Sequence, residues 1–180
     1  MEIIKSTAAD IDTLFELYGK ATEHQKLVGN LHWKGFELSL VQQEIEEQRQ
    51  WKIVMNGEIA CVFVITFSDP NIWEERNEDP ALYIHRIATN PDYRGNSFVK
   101  HIVAWATEFA GKHGKSFIRI DTGSENDKLN RYYESCGFTY LGIKKLANTS
   151  GLPEHYKRGE FSLFEIKLEP AGCPVTGVNN

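Results

Sequence analysis

The stretch PDYRGNSFV, residues 91–99, decides how the rest of the chain is read. It follows an apolar run, ALYIHRIAT (81–89). It precedes a segment, 96–113, in which Phe98, Ile102, Trp105, Ala106 and Phe109 recur on one helical face. A strand, a tight turn and a helix in that order leave backbone N–H groups unpaired at the helix start. Those groups and the helix dipole bind anions. Arg94, Gly95, Asn96 and Ser97 would present a guanidinium, a glycine and a run of amides to a phosphate. A turn with a single glycine fits an ordinary strand-to-helix connection equally well, so the flanking sequence has to decide.

On the N-terminal side, EIIKS reads as a strand and residues 8–24 as a helix, with Ile11, Leu14, Phe15 and Tyr18 at helical spacing. A second helix is expected over 36–49, its stripe formed by Leu38, Val41 and Ile45, with Glu44, Glu46 and Glu47 on the solvated side. WKIVMNGEIACVFVITF (51–67) places two β-branched runs around Asn56-Gly57, a pair that tolerates positive φ and predicts a tight hairpin. Residues 68–80 read as a loop. On the C-terminal side come a strand at 115–122, a short helix at 124–136 stopped by Gly137, and strands at 138–143 and 160–168. The expectation is an α/β (α+β) domain over 1–168. It has a mixed central sheet of about six to seven strands, flanked by about four helices, and a flexible tail over 169–180.

Bulk properties narrow the function. The 180 residues carry a net charge of −5, which argues against a broad nucleic-acid surface. Three widely spaced cysteines, Cys61, Cys136 and Cys173, suit a reducing compartment and form no zinc signature, so no metal is expected. No apolar run approaches the ~20 residues of a membrane span and no leader is evident, so a cytoplasmic location with no membrane partner is expected.

Two motifs in order then carry a resemblance. Thr89-Asn90-Pro91-Asp92-Tyr93-Arg94-Gly95 is followed about thirty residues later by Asn126, Leu129, Tyr132, Tyr133, Gly137 and Phe138. Residues 82–143 thereby resemble the GNAT superfamily of acyl-CoA N-acyltransferases, with its Q/R-x-x-G-x-G/A loop and its later N-x-x-A-x-x-F/L-Y-x-x-x-G-F segment. Three positions depart: Ser97 stands for Gly, Val99 for Gly or Ala, and Leu129 for Ala. The Ser97 hydroxyl would add a hydrogen bond to phosphate, whereas a β-branched Val99 at the helix start would push the cofactor outward.

The resemblance implies acetyl-CoA as cosubstrate and direct transfer of its acyl group to a small-molecule or peptide amine, with a homodimer possible. It places the cofactor along the strand backbone of Ile87, Ala88 and Thr89, where Ile87 and Thr89 would donate N–H to the thioester oxygen. It places the pyrophosphate at Arg94, Gly95, Asn96, Ser97, Phe98 and Val99, with Asn126 and Tyr133 completing the cofactor site. Tyr133 is implied as the acid that protonates the leaving thiolate; Tyr132 beside it is expected to pack against the sheet. An amine nucleophile must also lose a proton, and His85, whose unperturbed pKa suits that at neutral pH, is the candidate base. Glu74, Glu75 and Asp79 could hold a water nearby, and Trp33 and Trp73 could wall the acceptor pocket. The other reading is a GNAT-fold module that binds acyl-CoA without catalysis.

Overall fold

A computed structural model describes residues 1–28, 32–124, 126–145 and 159–169. The expected tail lies almost wholly outside the described residues. Seven strands, β1 (Glu2–Lys5), β2 (Gln50–Met55), β3 (Glu58–Thr66), β4 (Ala81–Thr89), β5 (Phe117–Gly123), β6 (Thr139–Lys145) and β7 (Glu160–Lys167), form one sheet in the order β1-β2-β3-β4-β5-β7-β6. Among the described strands β4 and β5 are parallel, and the other neighbours are antiparallel. The sheet is therefore mixed, as the element order predicted. The β2–β3 hairpin turns on Asn56 (φ 54°) and Gly57 (φ 83°), the two positive dihedrals that an Asn-Gly turn supplies.

Among the described residues five helices cover the sheet: α1 (Ile11–Leu27), α2 (Leu38–Glu46), α3 (Pro70–Trp73), α4 (Phe98–Lys112) and α5 (Asp127–Ser135). Helix α3, with a 3₁₀ turn after it at Glu74–Glu78, occupies a segment expected to be loop. Its Pro, Asn and Asp gave a turn signal, but the Ile72 and Trp73 side chains it buries are what hold it. Helix α2 is shorter at both ends than its stripe suggested. On one face of the sheet, Phe98, Ile102, Ala106 and Ala110 of α4 pack with Tyr133 of α5 against Cys61, Phe63, Leu82, Ile84, Ile118 and Ile120. The small Ala106 and Ala110 let α4 sit close to the strands. On the other face, Leu14, Leu17 and Tyr18 of α1 and Val41 of α2 pack on Val62 and Ala88, while Ile72 and Trp73 pack on Tyr83, Phe161 and Leu163.

The strands that matter for the site separate partway along. β4 pairs with β5 only over Ala81–Ile84 against Phe117–Ile120, although β4 continues to Thr89 and β5 to Gly123. A bulge in β4 marks the place where they part. His85 lies opposite Val64 and Ala88 opposite Val62, so two β4 residues face the single residue Phe63. Arg86 sits in that bulge at φ 51°, a left-handed conformation uncommon for a side-chain-bearing residue.

Candidate active site

The gap between β4 and β5 opens beside the start of α4. Asn90-Pro91-Asp92-Tyr93 turns the chain, with the Asn90 side chain accepting from the Asp92 amide and the Tyr93 amide donating to the Asn90 carbonyl. Asn96 Nδ2 donates to the Tyr93 carbonyl at 2.8 Å and braces the loop. The backbone N–H groups of Gly95, Asn96, Ser97 and Phe98 have no acceptor among the described residues. Arg94 is exposed beside them. Four free amides, a helix N-terminus and a guanidinium are groups of the kind that bind an anion.

The two departures in this loop resolve differently. Gly95 (φ 88°) and Ser97 (φ 52°) both lie in the left-handed region. A glycine at the second position would relieve a conformational cost that Ser97 carries. Val99 is 7% exposed and packs into the core beneath α4. Its side chain points away from the cradle, so the expected crowding of a cofactor does not arise from it.

Helix α5 brings the second motif to the same core. The Asn126 side chain caps it by accepting from the Leu129 amide at 3.0 Å. Tyr133 is the more buried of the two tyrosines, its ring 5.3 Å from that of Phe164 and 5.9 Å from that of Phe138. Tyr132 is half-buried and packs at the edge of that core. Burial, reinforced by the Asp121 carboxyl, holds the Tyr133 phenol above its usual range and so protonated. No hydrogen bond to its hydroxyl occurs among the described residues.

His85 lies where β4 leaves β5, and the structure adds two residues that the sequence reading missed. Its Nε2 is 3.5 Å from Asp69 Oδ2 and its Nδ1 is 3.6 Å from Asp121 Oδ1. Asp121 is on β5, one residue beyond the last parallel pair, and Asp69 immediately precedes α3. The Asp121 side chain is 7% exposed, and neither Asp69 Oδ2 nor Asp121 Oδ1 has a hydrogen-bond partner. Burial, with the positive charges of Arg86 and Arg49, pushes the His85 imidazole down to about 4. Burial also pushes the Asp69 carboxyl up to about 6 and that of Asp121, beside Asp69, up to about 8. At neutral pH the imidazole is therefore neutral, the form that accepts a proton. Asp121 was legible only as an alternating residue of a buried strand, Ile118, Ile120 and Phe117, Arg119, Asp121 falling on opposite faces; a carboxylate closing that inward pattern was the available signal.

Other expectations move. Asp79 pairs with the buried Arg119, which also binds Glu165 at 2.7 Å, and Glu74 pairs with Lys144. These carboxylates are committed away from His85. Trp73 is buried under the Arg119 guanidinium, 4.7 Å from it. Trp33, with Phe15, Tyr18, Thr22 and Phe36, lines a cavity of about 540 Å³ between α1 and residues 32–36. Glu44, expected on a solvated face, is 4% exposed and pairs with Arg86, whose guanidinium lies 4.6 Å from the Phe36 ring. The acidic run hid a buried ion pair because its partner is distant in sequence.

Known proteins agree with this architecture. The model of the acetyltransferase (GNAT) family matches residues 14–138. The uncharacterized N-acetyltransferase YesJ of Bacillus subtilis is 21% identical over 141 residues, covering 74% of this chain and 78% of that protein. A GNAT acetyltransferase of Listeria monocytogenes, known from its crystal structure, superposes with a TM-score of 0.73 at 23% identity, covering 93% of this chain and 94% of that one. The yncA protein of Salmonella typhimurium, solved with its cofactor acetyl-CoA, gives 0.66 at 14% identity, covering 98% of each chain. With a family model spanning both motifs and more than two thirds of its length, this chain belongs to the GNAT acetyltransferase family.

Proposed function

We propose that the chain transfers the acetyl group of acetyl-CoA to an amine held on the α1–α2 side of the sheet, with Tyr133 as acid and His85 as base. The family assignment makes acetyl-CoA-dependent N-acetyl transfer the reaction. The observation that supports the assignment of roles is the parting of β4 from β5 on the strand that leads into the free amides of residues 95–98. The pyrophosphate of acetyl-CoA would lie on those amides and Arg94. The pantetheine would follow the unpaired edge of β4 at Ile87, Ala88 and Thr89 toward the bulge. Ile87 or Thr89 N–H would donate to the thioester oxygen as it becomes negative.

The thioester then lies between α5 and the His85 cluster. Tyr133, kept protonated by its surroundings, donates to the departing sulfur. Neutral His85 takes the amine proton, with Asp121 opposite its other nitrogen to fix the ring. The cavity lined by Trp33, Phe15 and Phe36 is adjacent through Tyr18 and Phe36, both of which contact Arg86, and would receive the acceptor, a small-molecule or peptide amine.

Tyr133→Phe tests the reading, because it removes one oxygen and keeps the ring. Turnover on an amine found by screening is expected to fall by about 10²–10⁴. Acetyl-CoA affinity, measured by calorimetry, is expected to stay within about threefold, since the phenol acts only as the sulfur leaves. Unchanged turnover with chemistry rate-limiting would remove Tyr133 from the acid role.

A further inference from the structure

We propose that Asp69, His85 and Asp121 form a binding site for a divalent transition metal of the zinc class. One ligand atom from each residue can be chosen so that all three lie within 4.8 Å of one another. The residues come from three separate elements: the segment before α3, the bulge of β4, and β5 past its last parallel pair. Each ring nitrogen stands 3.5 or 3.6 Å from a carboxylate oxygen. That spacing is too long for a hydrogen bond, whose N···O distance is about 2.7–3.2 Å. A metal takes only one ring nitrogen, so one of the two distances can serve as an edge of its coordination tetrahedron, roughly 3.3–3.6 Å for metal–ligand bonds of about 2.0–2.2 Å. The third ligand atom lies within 4.8 Å of the other two.

Charge points the same way. Asp69 Oδ2 and Asp121 Oδ1 are buried and accept no hydrogen bond, and the Asp121 side chain is more than nine-tenths buried. Arg86 and Arg49, whose charges act on His85, are engaged by Glu44 and Glu47. Each of the two carboxylate oxygens is a buried polar atom without a partner, which a bound cation would satisfy. Neither oxygen is open to solvent, so a compact cation suits the space better than an ammonium group. An imidazole with two carboxylates selects zinc, cobalt, nickel, manganese or iron over magnesium or calcium, which prefer oxygen donors throughout.

One corollary rests on the reading of His85 as the base: a metal bound through the imidazole lone pair removes the proton acceptor, so zinc inhibits transfer. Metal binding itself does not depend on that reading. The test titrates zinc into the full chain against a chromophoric chelator, alongside Asp121→Asn and His85→Gln, whose folding is verified by circular dichroism. One equivalent is expected to bind the wild type, and binding is expected to be at least about tenfold weaker in either variant. Cobalt in place of zinc is expected to give the visible bands of a tetrahedral site without a thiolate charge-transfer band. No binding, equal binding in the variants, or a thiolate band implicating the cysteines would each overturn the site. If zinc binds as expected but leaves acetyl transfer intact, the metal site stands and the base assignment of His85 falls.

Discussion

Replacing Asp121 with Asn should change how stability depends on pH more than it changes stability itself. In the unfolded chain an aspartate titrates near 3.9, whereas burial pushes the folded Asp121 up to about 8. Between those values the native state holds a proton that the unfolded state has released. Stability from this group is thus fully present below about pH 4 and is lost as pH rises, with a limiting slope of about 1.4 kcal/mol per pH unit. From pH 5 to 8 the full slope gives about 4 kcal/mol, and sharing the proton with Asp69 and His85 reduces it to about 2–4 kcal/mol. Asn lacks the titration, so the variant should gain on the wild type by that amount over the interval. For a chain of this size the swing is roughly 4–16 °C in relative Tm. Thermal melts of both proteins at pH 5, 6, 7 and 8, with chelator present, measure it. A difference that stays flat with pH would refute the assignment of a raised pKa to Asp121. A difference that runs the other way would mean the carboxylate is ionised and paired in the folded protein.

Arg94→Ala should weaken acetyl-CoA binding by about 5–20-fold with little change in Tm, because an exposed charge acts on the phosphate and not on the core; equal affinity by calorimetry would exclude it from the cradle. Ser97→Gly relieves a left-handed side-chain-bearing residue and should raise stability by roughly 0.5–1 kcal/mol in urea denaturation. Glu44→Gln leaves the Arg86 guanidinium without its counter-charge in a buried setting, and should cost about 3 kcal/mol by the same measurement.

Much of this molecule was legible because local signals agreed with the final packing. The Asn56-Gly57 hairpin, the helical stripe of α4, the seven strands and the loop at Arg94 each announce themselves within a dozen residues. What stayed hidden depends on partners far apart in the chain. Glu44 finds Arg86 across 42 positions, and Arg119 gathers Asp79 from 40 and Glu165 from 46 positions away. Asp69 and Asp121 likewise meet His85 only once α3 and β5 are in place. Helix α3 was missed because its turn-forming residues outweigh two apolar ones in any local reading. Val99 was misjudged for a related reason: a motif position gives a residue's place along a helix, while the direction of its side chain depends on the sheet beneath.

The bulge in β4 is a change of phase. Before it, Ala81 and Tyr83 face the α1–α3 side and Leu82 and Ile84 face α4. After it, the odd-numbered Ile87 packs toward α4 and the even-numbered Ala88 toward α1. The parity of the strand inverts across the pair His85–Arg86, so two consecutive side chains point to one face, which an uninterrupted strand never allows. The titrating imidazole and a guanidinium reaching the aromatic pocket therefore stand next to each other on the α1 side of the sheet. Deleting one residue here would leave an apolar-looking strand of nearly the same composition. It would also transpose Ile87 and Ala88 between faces and separate those two side chains. At this point in the chain, the number of residues carries as much chemical information as their kind.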